Sequence, residues 1–498
     1  MTQPSQSNIP GKNPQPYRLP QTLRNITLDA VVVVPGIMGS ELYDNRTDTV
    51  LWGIADPGWI SKAWLSDSGL TPLHLTEDEQ LGRTDRVTAR RLLQTPAWSP
   101  FLRGIEPYHD LLAAISTCVA HPDAVLPFPY DWRLSVATNA RRLADDARQH
   151  LTRWRAHDAL QAARRHTADE RPARLVFIAH SMGGLITHAA LTLGHDNDLT
   201  DDTRGVMTLG TPFHGSVLAA QILNTGQGSP IPLPHSRLRA LAAAMPGVHD
   251  LLPRFPCLDE GLDVRRLTPT DVADLGGDKD LAAASQAFHD RQSPHPLPRH
   301  RAVAGIRQPT LQSLTLDNGR VTASHHRFAH HADGELRRDV HGVPLRFEGD
   351  GDGTVHRQSA VLAPGAMPIA LQHGALAQGE AALQIVTDFL VHEETFGPDQ
   401  ADGGLGLELP DYVTARTEWD LHLTGTDDPA GIDCTVTGVD TAHQRDARLH
   451  ATDDETLTAR VSVPEPGLYR ITVRSPTTPA LTQLVLAGPD TPLLPEAE

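Results

Sequence analysis

Apolar runs of strand length alternate with helical patterns over the first part of the chain. "LDAVVVVPG" is apolar through its centre, as a strand buried on both faces must be, and "RLVFIAH" and "RGVMTLG" repeat the pattern. Between these runs, "YHDLLAAIS" and "MGGLITHAALTL" carry helical spacing, and "AVLPFPYDW" contains another short strand. The stretch "NARRLADDARQHLTRWRAHDALQAARR" predicts one long amphipathic helix. Strand–helix–strand order with fully apolar strands predicts an α/β architecture, a mainly parallel sheet covered by helices on both faces.

The alternation fails between about 215 and 300, where proline-broken segments such as "GSPIPLPHS" and "MPGVHDLLPRFP" intervene. An insertion after a core strand suits a helical cap over a cleft. The sheet pattern resumes with "HRAVAGIRQ", followed by "LQSLTLDNGRVTAS", whose Asn-Gly predicts a hairpin. "VPLRFEG" and "MPIALQH" read as two more strands and "GEAALQIVTDFLVHEE" as a closing helix. A linker-like stretch spans 399–410. From 411 to 498, runs such as "TLTARVSV" and "LYRITVRS" alternate apolar and polar residues, as in a small β-sandwich-like domain. The expected organisation is a leader over 1–26, disordered by composition, an α/β body over 27–398 with its cap at about 215–300, the linker, and the β-rich domain.

Composition narrows the function classes. The 498 residues carry 61 acidic and 43 basic side chains, a formal charge of -18, which argues against nonspecific binding to nucleic acid. No signal-peptide pattern opens the chain and no apolar run reaches bilayer length, so a cytoplasmic location is expected. The three cysteines, Cys118, Cys257 and Cys434, have no metal-like spacing, and neither a metal nor a disulfide framework is expected.

"AHSMGGL" raises the chemical question. Ser181 follows an apolar strand and opens a helix, with small residues Ala179 and Gly183 two positions to either side. That is the sequence of a nucleophile elbow, although a serine at a helix start is also a common N-cap. A nucleophilic serine needs an acid and a histidine later in the chain. "RFEGDGDGTV" offers Asp352, with Asp350 in reserve, on a glycine-rich turn. Among 26 histidines, His373 occupies the loop after the last core strand and before the last helix; His356, His392 and His214 are its rivals. Two backbone amides must hold an oxyanion. Met182 directly follows the serine, and Ile37 follows the Pro-Gly turn of "VVVVPGIMGSEL".

"VVVVPGIMGSEL", "PFPYDWRLS", "AHSMGGL", "LGTPFHGS", "GDGTV" and the late His373 occur here in the order seen in one family. The combination resembles the lecithin:cholesterol acyltransferase-like family of α/β-hydrolase lipases, phospholipases and acyltransferases, over about 27–396. The resemblance implies a Ser181–Asp352–His373 triad and an oxyanion hole at Ile37 and Met182, with no cofactor and a lipid or other acyl-ester substrate. It also implies a structural role for "PYDWR", where Asp131 and Arg133 are expected to form a buried ion pair. The disulfides and small cysteine-closed lid of secreted animal members have no counterpart in the sequence. Trp52, Trp59 and Trp64 are either an acyl-binding flap or core, and Trp52 and Trp59 are the candidates for substrate contact.

The expected function is serine-dependent hydrolysis or O-acyl transfer on lipid esters, which allows transient contact with a membrane surface. The alternatives are an esterase for non-lipid substrates and a non-catalytic binding protein on a hydrolase scaffold. No nucleic-acid partner is expected, and a protein partner for the β-rich domain is not specified by any motif.

Overall fold

The computed structural model describes residues 26–53, 70–80, 82–93, 108–167, 171–192, 199–227, 235–292, 295–331, 335–362, 366–392, 405–410, 412–438, 443–452, 456–475 and 480–488. The expected leader lies outside them except for Ile26, and Trp59 and Trp64 lie outside them altogether.

Six strands form the central sheet: β1 (Ala30–Val34), β2 (Val125–Pro127), β3 (Leu175–His180), β4 (Thr203–Leu209), β5 (Arg301–Gly305) and β6 (Met367–Ile369). Their order is β6-β5-β4-β3-β1-β2 and every pairing is parallel. Parallel strands need crossovers, so their faces are covered and their side chains are apolar on both. Accordingly β1, β3 and β4 are buried at every position. Each valine of β1 contributes roughly 1.5–3 kcal/mol by leaving water.

The principal helices are α1 (Val136–Arg155), α2 (Met182–Thr192), α3 (Val217–Thr225), α4 (His235–Ala243), α5 (Lys279–Gln292) and α6 (Glu380–His392). The Ser135 hydroxyl caps α1 by accepting from the Thr138 amide, and Arg153 and Arg155 sit in its last turn, where the helix dipole favours cations. The one long helix expected here is in fact two. The chain breaks at Ala156–His157, and the His157 ring caps a second helix, Asp158–Arg164, by accepting from the Ala159 amide. Periodicity runs straight through this break because both helices bury the same stripe, ending in Trp154 and resuming at Leu160.

The Asn-Gly turn forms as expected. Ser313–Asp317 pairs antiparallel with Arg320–Ser324, and Asn318 and Gly319 both have positive φ, at 50° and 78°. The "VPLRF" segment departs from the sheet pattern: Arg346–Glu348 pairs with His326–Phe328 outside the central sheet and is exposed.

The C-terminal strands are β7 (Gly406–Glu408), β8 (Tyr412–Thr414), β9 (Trp419–Thr424), β10 (Asp433–Gly438), β11 (Gln444–Ala447), β12 (His450–Thr452), β13 (Thr456–Val461), β14 (Gly467–Arg474) and β15 (Leu481–Gly488). They form two sheets, β7-β9-β13-β12 and β8-β15-β14-β10-β11, around a separate apolar core. Leu421, Leu457 and Ala459 of one sheet share that core with Val436, Ile471 and Val485 of the other. β7 begins inside the stretch expected to be linker.

Candidate active site

Ser181 sits between β3 and α2 with φ 52°, a left-handed conformation costly for a residue with a Cβ. Its amide donates to the Leu209 carbonyl at 2.9 Å and its carbonyl accepts from Gly184 at 3.0 Å, which holds the turn in place. Gly183 is required by space. A Cβ there would lie 2.4 Å from the Pro35 carbonyl oxygen and 2.5 Å from that of Val34. The first turn of α2 therefore rests directly on the end of β1, beside the Pro35–Gly36 turn.

His373 follows β6 and opens a short 3-10 turn, Gly374–Ala377. Its Nε2 lies 2.8 Å from Ser181 Oγ and its Nδ1 lies 2.7 Å from Asp352 Oδ2. A carboxylate only accepts, so Nδ1 carries the proton and Nε2 is left to accept from the serine hydroxyl. The other carboxylate oxygen of Asp352 accepts from the amides of Thr354 at 2.9 Å and Val355 at 2.6 Å. Gly353 takes φ 90° within that turn. All three side chains are buried.

Asp350 stands apart, exposed, accepting from the Arg307 amide at 2.8 Å. Of the rival histidines, His356 is engaged elsewhere. His356 is buried, with Nδ1 accepting from the Ser359 amide at 3.3 Å, and burial pushes its pKa down to about 4. Burial also lowers the pKa of His214. His392 ends α6.

Ile37 and Met182 lie where the two loops meet. Among the described residues neither amide donates a backbone hydrogen bond, and Met38, at φ 64°, keeps the first loop tightly turned. Two residues that the sequence did not single out connect this loop to His373. The Gly36 amide donates to the Tyr108 hydroxyl at 2.7 Å, Tyr108 lies 3.0 Å from His180 Nδ1, and His180 Nε2 lies 3.0 Å from the His373 carbonyl oxygen. The carbonyl fixes the His180 proton on Nε2, so the Tyr108 hydroxyl donates to Nδ1. His180 was visible inside "AHSMG"; Tyr108, 72 residues away, had no local signal.

Asp131 and Arg133 do form a buried pair, at 2.9 and 2.7 Å, and Glu79 completes it at 2.8 Å from the same guanidinium. Burial pushes the Glu79 carboxyl up, but hydrogen bonds from Arg86 and Thr76 and the Arg133 charge outweigh it and hold the pKa at about 2. Glu79 lies in a short helix, Glu77–Gln80, that no motif announced.

A cavity of about 350 Å³ opens on Ser181 and His373. Leu218, Ile222, Leu238 and Met245, from the inserted region, line it together with Pro309, Leu407 and Leu409. Trp52 also lines it, while packing edge-on against Trp132 at 5.2 Å and donating its indole N–H to the Met38 carbonyl. Core and cavity roles thus coexist in one side chain.

Among the described residues, His121, Asp123 and His157 are close enough together to hold a metal ion. The Nδ1 atoms of both histidines already accept from backbone amides, which leaves the proton of each neutral ring on Nε2. Nε2 of His157, 3.2 Å from the Asp123 carboxylate, is then a donor and not a ready ligand.

The parallel sheet, the strained serine turn and the covering helices define an α/β-hydrolase fold. The sequence profile of the family described as "Lecithin:cholesterol acyltransferase" matches residues 101–273, and the resemblance read from the motifs holds over that stretch. At family level this supports action on lipid esters by hydrolysis or acyl transfer. The matched stretch contains Ser181 and ends before Asp352 and His373. Among solved structures, "The crystal structure of Tle4-Tli4 complex" is similar at 15% identity, covering 73% of this chain and 98% of that one, with a TM-score of 0.43. A superoxide reductase (neelaredoxin) from Ignicoccus hospitalis aligns at 11% identity over 20% of this chain and 100% of its own, with a TM-score of 0.14. Scores this low carry no functional argument. No protein of curated function matches the sequence. Among the described residues, no helix is long and apolar enough to cross a membrane.

Proposed function

We propose that this protein is a serine-dependent acyl-ester hydrolase or O-acyltransferase acting on lipid esters through an acyl-serine intermediate. The observation that carries the reading is the continuous array from Asp352 through His373 to Ser181, at 2.7 and 2.8 Å, facing a largely apolar cavity. His373 Nε2 takes the proton as Ser181 Oγ attacks the ester carbonyl, and Asp352 holds the tautomer and stabilises the imidazolium. The Ile37 and Met182 amides hold the oxyanion. As the tetrahedral intermediate collapses, the departing alcohol oxygen takes the proton from His373. Water or a second alcohol, deprotonated by the same ring, then releases the acyl group from serine. The chain is organised as a hydrolase body, with residues of about 215–300 as its cap, and a C-terminal β domain.

Replacing Ser181 with alanine tests the reading. Ser181→Ala should keep its circular dichroism spectrum, lose labelling by a fluorophosphonate probe, and lose turnover by roughly 10⁴ or more. Full labelling of the alanine variant overturns the assignment. A panel of lipid, short-chain and peptide esters on the native protein tests the substrate class.

A further inference from the structure

The C-terminal β unit reaches the cavity. Leu407, Glu408, Leu409 and Gln483 line it together with Pro309, and the contact is a built one. Gln308, almost fully buried, donates its amide to the Leu405 carbonyl at 2.8 Å and accepts from the Leu407 amide at 3.3 Å. At Gly406 the backbones approach so closely that a Cβ would lie 2.4 Å from the Arg307 carbonyl oxygen. The same short strand, Gln308–Pro309, pairs with Asp350–Gly351, and Gln308 bridges Asp352 itself. The β unit is therefore seated on the segment that carries the acid.

That placement has a chemical consequence. An ester bound with its carbonyl at Ser181 has two arms, and the histidine that protonates the departing oxygen must lie on the alcohol side. Here His373 is tied to Asp352 by its ring and by its amide, which donates to the Asp352 carbonyl at 2.8 Å. The β unit adjoins this His373–Asp352 side through Gln308, whereas the inserted region, which lines the cavity with Ile222, Leu238 and Met245, lies against the Met182 side chain at Gly247. The β-unit wall is mixed in character: Leu407 and Leu409 are aliphatic, Glu408 is an exposed carboxylate, and Gln483 is a half-buried amide.

We infer that the C-terminal β unit forms the alcohol-side subsite, with Glu408 and Gln483 as specificity-determining residues. The alcohol it takes is amphiphilic, aliphatic along one side and carrying hydroxyl donors that Glu408 and Gln483 accept. The same subsite receives the acceptor when the acyl group moves to an alcohol. This rests on the serine-esterase reading above.

The test uses the full chain carrying Glu408→Leu together with Gln483→Leu, neither of which is in a buried core. The alcohol series compares glycerol monobutyrate with octyl butyrate; the acyl series compares methyl butyrate with methyl octanoate. The kcat/KM ratio of octyl butyrate to glycerol monobutyrate should rise about tenfold or more, the scale of a hydrogen-bonding site made apolar. The acyl-series ratio should stay within about twofold. An unchanged alcohol ratio, or equal shifts in both series, overturns the inference while leaving the esterase reading intact. If the native protein cleaves none of the four esters and takes up no fluorophosphonate, the esterase reading itself fails.

Discussion

β3 of the central sheet is buried at every position, whereas β9 of the C-terminal unit buries only alternate ones. The two patterns record two ways of covering a sheet, by helices on both faces or by one other sheet on a single face. They also divide the chemistry. A strand covered on both faces has only its ends free for function, and ligands in open α/β sheets bind beyond the carboxyl ends. Ile37, Ser181 and His373 all follow such ends, of β1, β3 and β6. The sandwich contributes instead from its edge strand β7 and from β15. Its core holds only Cys434 and Tyr469 as buried ionisable side chains among the described residues, while the body buries Asp29, Glu79, Arg133, Asp250 and several histidines.

The largest expected difference falls within a single turn, at the seam between the two regions. Asp352 holds the His373 ring, and Asp350 accepts from the Arg307 amide. Asparagine at 352 can trap the wrong tautomer, so Asp352→Asn should lower turnover on a soluble ester by up to about 10⁴. Asp350→Asn should lose about tenfold or less, because its partner is an exposed amide. Turnover of both variants, with thermal melts as the folding control, decides between them. A dead Asp350→Asn beside a nearly normal Asp352→Asn would reassign the acid.

Much of this site was readable, and the reasons differ by residue. Ser181, Gly183 and the Pro35–Gly36 turn are local: a strand end, a sharp turn and a helix start write themselves into adjacent residues. His373 was readable by its position in the strand order. Asp352 is legible from its glycine-rich turn, yet the strand that precedes the turn, "VPLRF", lies outside the central sheet. The short pairing of Gln308–Pro309 with Asp350–Gly351 holds it instead, and ladders that short leave no periodicity. Glu79, Tyr108 and the break at His157 were illegible for a related reason: each depends on a partner far along the chain or on a cap within an unbroken apolar stripe.

The next prediction asks how separate the two cores are. Leu143 on α1 and Leu457 on β13 are both fully buried, one in each core. Each leucine-to-alanine change should cost about 2–5 kcal/mol. Leu143→Ala should lower the temperature at which a short-chain phosphonate probe stops labelling Ser181. Leu457→Ala should lower a calorimetric transition while labelling persists to nearly the native temperature. One merged transition, with labelling lost at the same point in both variants, would mean that the cores unfold together.

The smallest effect concerns the buried charge that distinguishes the body. Asp250 is buried within the inserted region, and burial raises its carboxyl to about 6 even though the Val136 amide donates to it at 2.7 Å. Arg254, itself lowered to about 10 by burial, faces it and pulls the other way. His289, kept neutral by burial, lies 2.9 Å from the Asp250 main-chain carbonyl. The unfolded chain releases this proton near pH 4. Between there and about pH 6 the folded state holds more protons than the unfolded one, so raising the pH through that window costs stability. Below it the cost is absent, and above it the cost is complete. Asparagine can still accept from Val136 and never ionises. Asp250→Asn should therefore match the native protein near pH 4 and exceed it by about 1–3 kcal/mol above pH 7. The gain should appear in the transition that governs Ser181 labelling and leave the transition lowered by Leu457→Ala where it was. Paired melts across that pH range read both at once, and a constant difference between variant and native protein at every pH would show that Asp250 is already ionised in the fold.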